Sequence, residues 1–492
     1  MAKTRTNIDD HEVVIDMVYI EERSGTPRYQ QLYEQLRALI RRGTLRAGMC
    51  LPSSRALSRD LGIARNTVIT AYGQLETEGY IETSLGSLAR VTNLPSLETA
   101  TSQTRQIDLV DHISVRGHSL AYQNHAPGSP RINFFQPGMP DMREFPLPLW
   151  RRFVNEQLKY YSEDVFGYHS FSGFQPLREE IASYVETARS VRCSPEQILV
   201  TNGAQSAMIL IAQLFTDPGD DILFEEPGYT GAQGAFLAAG TKLRPLHVRD
   251  GEWQINKLGK IRPKLIYLTP SCQFPLGQTM RMEQRLKLIN YSMNCGAWIL
   301  EDDFDSEYRF LTKPVPALQG IAQNDCTLYI GTFSKTLFPA LRIGFVAFPG
   351  PVTDEIGKAN FLLGNTAPLF LQSALAEFIK HGHFAKHLRR MKRIYGNRRT
   401  MFTDLVQRKL GKWLEPLDAG SGLQTAWRLR GNYSDSEVCY KAIENDLRIT
   451  PLSIHYLHGS PTQGLILGYA TMDEGEAERA VGQLRCIFQQ LE

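Results

Sequence analysis

From Asn133 onward the chain alternates short β-rich runs with longer stretches, several of them helix-compatible. The runs are QILVTNG, DILFEEPGY, KLIYLTPS, AWILEDDF and TLYIGTFSK. Such alternation constrains the chain to an α/β fold with a largely parallel sheet. Each run ends in Gly, Pro, polar or acidic residues. In open α/β sheets ligands bind beyond the carboxyl ends of the strands, so these endings are where chemistry is to be sought. After about residue 365 the pattern changes to a long helical stretch and a smaller α+β tail.

With 492 residues, the chain is too long for one core. Residues 1–24 read as a tail, 25–93 as a compact helical module, 94–132 as a linker and 133–492 as the α/β body. The linker is polar, holds Pro and Gly, and has no sustained period; a flexible chain of that length spans roughly 30–35 Å. That reach would let the N-terminal module lie over a neighbouring subunit. Net charge is only +2, but residues 23–90 carry ten Arg against five acidic residues, the sign a phosphate-binding module needs. The seven cysteines form no C-x-x-C pair, which points away from a zinc site or a disulfide framework and toward a reducing cytoplasm. No metal ligand set is expected. The N-terminus lacks the apolar core of a signal peptide, and no run of about 18 apolar residues predicts a membrane span.

In the N-terminal module, Leu32, Leu36, Leu39 and Ile40 form an apolar stripe at helical spacing. A short helix follows, with Ser53 or Ser54 as its N-cap and Gly62 closing it. A second helix places Val68, Tyr72 and Leu75 on one face. Two short helices across a tight turn make a helix-turn-helix pattern, and GYIETSLGSLARV can form a β-hairpin wing. LPSSRALSRDLGIARNTVITAYGQLETEGY, residues 51–80, resembles the winged-helix domain of the GntR family. The resemblance implies operator-DNA contacts from Arg55, from Arg65, Asn66 and Thr67 at the start of the recognition helix, and from Gly86 in the wing. Arg suits phosphates or guanine edges, and Asn and Thr suit base edges. Two departures stand out: Ala64 occupies a position where a capping Ser is usual, and the wing reads GSLAR in place of Gly-Ser-Gly.

A pyridoxal phosphate site needs a Schiff-base lysine, an acid for the pyridine nitrogen, donors and an Arg for the phosphate, and a stacking aromatic. FFQPGMPDMREFP, TNGAQSAM, EEPGYTG, TPSCQFPLG, EDDFDSEYRF and TFSKTLFPALRIGF occur in order across about 210 residues. They resemble fold type I aminotransferases. With the N-terminal module, the whole is similar to the MocR subfamily of GntR-type regulators. The resemblance implies a mostly parallel large domain and a small α+β C-terminal domain. It implies Lys335 as the Schiff-base lysine, Asp302 against the pyridine nitrogen and Tyr229 on the ring face. Ala204, Gln205, Thr332 and Arg342 would hold the phosphate. Tyr168 would reach the phosphate of the other subunit in a head-to-tail homodimer.

Three positions depart from the aminotransferase pattern. Phe304 replaces the Tyr that bonds the cofactor's phenolic oxygen, and Phe274 replaces the Asn that bonds the same atom. Ile466 lies near the place of the usual carboxylate-clamping Arg, with Arg428, Arg430 and Arg448 nearby in sequence. These losses favour sensing over turnover. The expected function is a DNA-binding regulator that senses a small amine or amino acid, or pyridoxal phosphate itself, through Lys335, with at most weak or half transamination. An active aminotransferase with an autoregulatory DNA-binding domain is the alternative.

Overall fold

The computed structural model describes residues 17–21, 24–84, 87–93, 109–121, 134–159, 167, 171–310, 315–322, 326–417, 420–459 and 461–492. Two compact units divide the chain, Met1–Asp111 and His112–Glu492.

In the N-terminal unit the helix Arg28–Arg41 buries Leu32, Leu36 and Ile40 of the stripe read from the sequence, together with Tyr33. Leu39, from the same stripe, is only partly buried. Ser53 caps the helix Ser54–Asp60 by accepting a bond from the Ala56 N–H at 3.2 Å. Gly62 takes φ +63° and ends it. The helix Arg65–Thr77 starts at Ala64 with no side-chain cap and buries Val68, Ala71, Tyr72 and Leu75. Strand β1 (Ile81–Glu82) pairs antiparallel with β2 (Arg90–Val91), the base of a wing. The wing position Gly86 lies outside the described residues.

The expected linker is not wholly irregular: Val115–Ala121 is helical. The Ser114 hydroxyl accepts from the Gly117 N–H at 3.0 Å and starts that helix. Seven residues are too few for a period to register in sequence.

The larger unit centres on an eight-stranded sheet. Its strands are β3 (Ile198–Thr201), β4 (Asp221–Glu226), β5 (Lys242–Arg249), β6 (Glu252–Trp253), β7 (Leu265–Leu268), β8 (Trp298–Asp302), β9 (Thr327–Thr332) and β10 (Gly344–Ala347). The spatial order is β3-β10-β9-β8-β7-β4-β5-β6. Strands β9, β8, β7, β4 and β5 are mutually parallel. Only β10 and β6 run against them. β3, β4, β7, β8 and β9 are buried almost throughout, as a sheet covered on both faces requires. A second, fully antiparallel sheet holds β11 (Leu414–Pro416), β12 (Gln424–Leu429), β13 (Thr450–Pro451) and β14 (Gly464–Gly468) in the order β11-β12-β14-β13. The 28-residue helix His383–Leu410 and the helix Glu474–Leu491 pack into its core. Among the described residues, no helix is long and apolar enough to cross a membrane.

Leu36 is fully buried in the N-terminal core. Leu36→Ala should destabilise that unit by about 2–5 kcal/mol. Urea unfolding followed by helical circular dichroism of the unit would read the loss.

Candidate functional site

The parallel strands all deliver their carboxyl ends to one edge of the sheet, and the expected site residues collect there. Lys335 stands in the turn just after β9, Asp302 is the last residue of β8, and Tyr229 follows β4 by three residues. Gly203 follows β3 and opens the helix Ala204–Phe215.

Asp302 is buried, and the Tyr267 hydroxyl from β7 donates to its Oδ2 at 2.8 Å. Burial pushes its carboxyl up to about 7; the Tyr267 bond draws it back down, and the Asp303 and Asp305 charges push it further up. Such a carboxyl wants a cationic or donor partner. Lys335 Nζ donates to the Gly138 carbonyl at 2.6 Å. Desolvation lowers its pKa, against the opposing pull of Asp305 and then Asp302. A lysine that gives up its proton more readily is a better nucleophile.

The helix Ala204–Phe215 begins without a side-chain cap, at a glycine with φ +86°. The N–H groups of Ala204 and Gln205 meet no acceptor among the described residues. The Arg342 guanidinium stands beside them: a Cβ built on Gly203 would lie 3.6 Å from its Cζ. Arg342 is exposed and forms no ion pair among the described residues. Its own backbone is left-handed, φ +51°. Free helix N–H groups beside an unpaired arginine make an anion site. Thr332, at the end of β9, accepts from the Ser334 N–H at 3.2 Å.

Tyr229 packs edge-on to Phe274, with ring centroids 5.4 Å apart. Its hydroxyl lies 3.4 Å from Gln205 Oε1, and Gln205 Nε2 donates to the Gly231 carbonyl at 2.8 Å. Gln205 therefore braces the Tyr229 ring, while its backbone N–H lies at the open helix start. Phe274 also touches Phe304 at 5.5 Å and His455 at 5.1 Å. The two departures read in the sequence are thus neighbours, and they form one apolar wall.

The edge therefore holds Lys335, Asp302, Tyr229, Ala204, Gln205, Thr332 and Arg342. Tyr168 lies outside the described residues. In the other unit, Arg55, Arg65, Asn66 and Thr67 are exposed or partly exposed on the two helices, and Arg65 Nε donates to Ser54 Oγ at 3.3 Å. Several residues of the site were not singled out from sequence: Tyr267, Gly138, Asp305 and Gln424. Tyr267 had a signal, since a tyrosine inside the apolar run KLIYL needs a buried partner for its hydroxyl. Asp305 had one too, as a further acid in EDDFDSE.

The donor set fits pyridoxal phosphate. Unsatisfied helix N–H groups with Arg342 suit a phosphate, Asp302 suits a protonated ring nitrogen, and the Gly138 and Gly203 positions keep Cβ atoms out of the space. Among the described residues, no cluster of His, Cys, Asp and Glu could hold a metal.

Comparison with known proteins agrees with this geometry. Residues 139–484 match the aminotransferase class I and II family, and residues 28–91 match the bacterial regulatory proteins of the gntR family. A probable rhizopine catabolism regulatory protein, MocR of Rhizobium meliloti, is 41% identical over 97% of both chains. The chain belongs to the MocR-type regulators of the gntR family. The pyridoxine biosynthesis transcriptional regulator PdxR of Corynebacterium glutamicum is 30% identical over 90% of this chain and 92% of its own. Among solved structures, the α-aminoadipate aminotransferase LysN of Thermus thermophilus, complexed with N-(5'-phosphopyridoxyl)-L-leucine, superposes with a TM-score of 0.70. It is 25% identical and covers 78% of this chain and 99% of its own.

The raised Asp302 carboxyl has a consequence for the cofactor-free protein. Its folded pKa of about 7 exceeds the ordinary 3.8. The stability it contributes is therefore complete below 3.8 and is lost as pH rises through 7. Asp302→Asn should melt above wild type at pH 8 and level with it below pH 4. Thermal melts of both cofactor-free proteins across that range would check the sign.

Proposed function

We propose that this chain is a pyridoxal-phosphate-dependent, DNA-binding transcriptional regulator in which the aminotransferase-like domain senses a small molecule. The observation that carries the reading is one sheet edge that joins Lys335, Asp302 and an uncapped helix start with Arg342 to a wall built from Phe274 and Phe304. The first three groups suit holding the cofactor. The wall lacks the two donors that an efficient aminotransferase directs at the phenolic oxygen.

The proposed division is a tail over 1–24, the DNA-binding domain over 25–93, a linker over 94–132 and the effector domain over 133–492. Arg55, Arg65, Asn66, Thr67 and Gly86 would contact operator DNA. Lys335 would hold the cofactor covalently. When bound, the cofactor supplies a carbonyl carbon that exchanges reversibly between amines, and a ring that withdraws electrons. Asp302 would keep the ring nitrogen protonated, with Tyr267 fixing the carboxylate. Tyr229, braced by Gln205, would cover the ring face. Arg342, Thr332 and the N–H groups of Ala204 and Gln205 would hold the phosphate. Tyr168 would reach the phosphate of a second copy in a head-to-tail homodimer. An incoming amine would displace Lys335, whose freed amino group would stay on the Gly138 carbonyl. An effector shifts the DNA-binding heads only through different affinities for two arrangements of the protein. A cytoplasmic location follows from this role.

The second reading, an aminotransferase with an autoregulatory head, draws on the same Lys335 and Asp302. Steady-state transamination at about 1 per second or faster would establish it and overturn the regulator reading. Lys335→Ala should abolish the visible absorbance band of the loaded protein and leave the cofactor removable by gel filtration. Arg65→Ala should keep that band and weaken operator binding by about tenfold or more. A band that survives Lys335→Ala would refute the lysine assignment.

A further inference from the structure

Near Lys335, two buried acceptor oxygens meet no donor among the described residues, Asp305 Oδ1 and Gln424 Oε1. Asp305 is 1% exposed and Gln424 5%. Asp305 has left-handed backbone, φ +55°. Its Oδ2 accepts from the Leu423 N–H at 3.1 Å, which fixes the carboxyl group and leaves Oδ1 open. Leu423 leads directly into Gln424, the first residue of β12. Gly138 ties the two acceptors to the lysine: a Cβ built there would lie 3.0 Å from Lys335 Nζ and 3.7 Å from Gln424 Oε1. Asp305 is also the strongest charge holding the proton on Lys335, ahead of Asp302.

Buried acceptors are ordinarily satisfied, and a pair left open beside a nucleophile marks a place for a ligand's donors. Phe304 against Phe274 lends the wall an apolar stretch. The place where a carboxylate-clamping arginine is common holds Ile466, buried in β14. Arg428 points to solvent and pairs with Glu415 at 3.8 Å, and Arg430 is exposed. A carboxylate entering here would meet the Asp305 carboxyl group.

We propose that Asp305 and Gln424 select the effector of the Lys335 site, and that they take a primary amine bearing a second hydrogen-bond donor, ammonium or hydroxyl, and no carboxylate. The inference rests on the cofactor reading given under Proposed function and narrows it from amines and amino acids to one class. Four three-carbon amines isolate the chemistry: 1,3-diaminopropane, 3-aminopropan-1-ol, n-propylamine and β-alanine. Each is titrated into the full-length protein loaded with pyridoxal phosphate, and the shift of the visible band is followed.

In wild type, the diamine and the amino alcohol should bind at least tenfold tighter than n-propylamine, with β-alanine weakest. Asp305→Asn and Gln424→Leu should each pull the diamine-to-propylamine ratio toward one, and Gln424→Leu should leave propylamine itself within about twofold. Asn tolerates left-handed backbone, and Leu preserves the volume of Gln. Circular dichroism confirms that each variant folds, and the wild-type series stands without them. β-Alanine equal to or tighter than the amino alcohol would overturn the proposal, as would ratios unchanged in both variants. If wild type shows no band that Lys335→Ala removes, the cofactor reading fails and this inference falls with it. If the band is present but the four amines bind alike, only this inference fails.

Discussion

The sheet edge depends on one buried ion pair. Arg189, at the end of the helix Gln175–Arg189, meets Asp303 through two bonds, Nε to Oδ2 at 2.7 Å and a terminal nitrogen to Oδ1 at 2.9 Å. The Tyr329 hydroxyl and Ser306 Oγ also donate to Asp303, at 2.6 and 3.0 Å. Both charged side chains are almost wholly buried. Removing one partner of such a pair costs about 3–5 kcal/mol, because the other charge is stranded. Asp303 lies between Asp302 and Phe304. The bonds that hold it therefore fix the direction of the acid on one side and the aromatic ring on the other. Arg189 spends its remaining capacity on the Val315 carbonyl and Ser271 Oγ, tying this turn to two neighbouring segments.

Around that pair the protein buries more carboxyl groups than its cations neutralise. Burial raises the carboxyls of Asp302, Glu301 and Glu307 to about 7 and that of Asp305 to about 6. Asp303 alone is held below the ordinary value, chiefly by Arg189, which outweighs the effect of its burial. Structural acids satisfy themselves: Glu301 accepts from the Leu318 and Gln319 N–H groups, and Glu307 from the Tyr184 hydroxyl. Asp305 keeps Oδ1 open, and its charge acts on Lys335. Leaving a buried acceptor open costs about 1–3 kcal/mol, a strain that a bound cation or donor relieves.

The α/β architecture was legible because the buried strands are short apolar runs closed by turn residues, and the helix-turn-helix because Leu32, Leu36, Val68, Tyr72 and Leu75 keep a strict period. The residues proposed to face a cofactor stand in ordered motifs at strand ends, which is where local sequence is most readable. Other features were out of reach. β10 lies in the apolar run IGFVAF, but its antiparallel direction is a property of pairing, which no local pattern encodes. The short strands β6 and β13 carry no period at all. Asp305 and Gln424 lie 119 positions apart in sequence, and only tertiary folding reveals that neither oxygen has a donor. The adjacency of Phe274 and Phe304 is of the same kind.

The reversed direction of β10 acts as a ruler. Gly344 pairs with Thr332 on one side and Thr201 on the other, so β10 starts at the edge where β9 and β3 finish. A parallel strand in its place would need a crossover of a dozen or more residues to re-enter the sheet from its far side. Arg342 would then be carried to the opposite edge. Because the chain turns straight back, Lys335 and Arg342 sit on one short connection that is pinned at both ends by the same sheet. The span between the proposed covalent anchor and the proposed charge for the phosphate is thus set by backbone pairing.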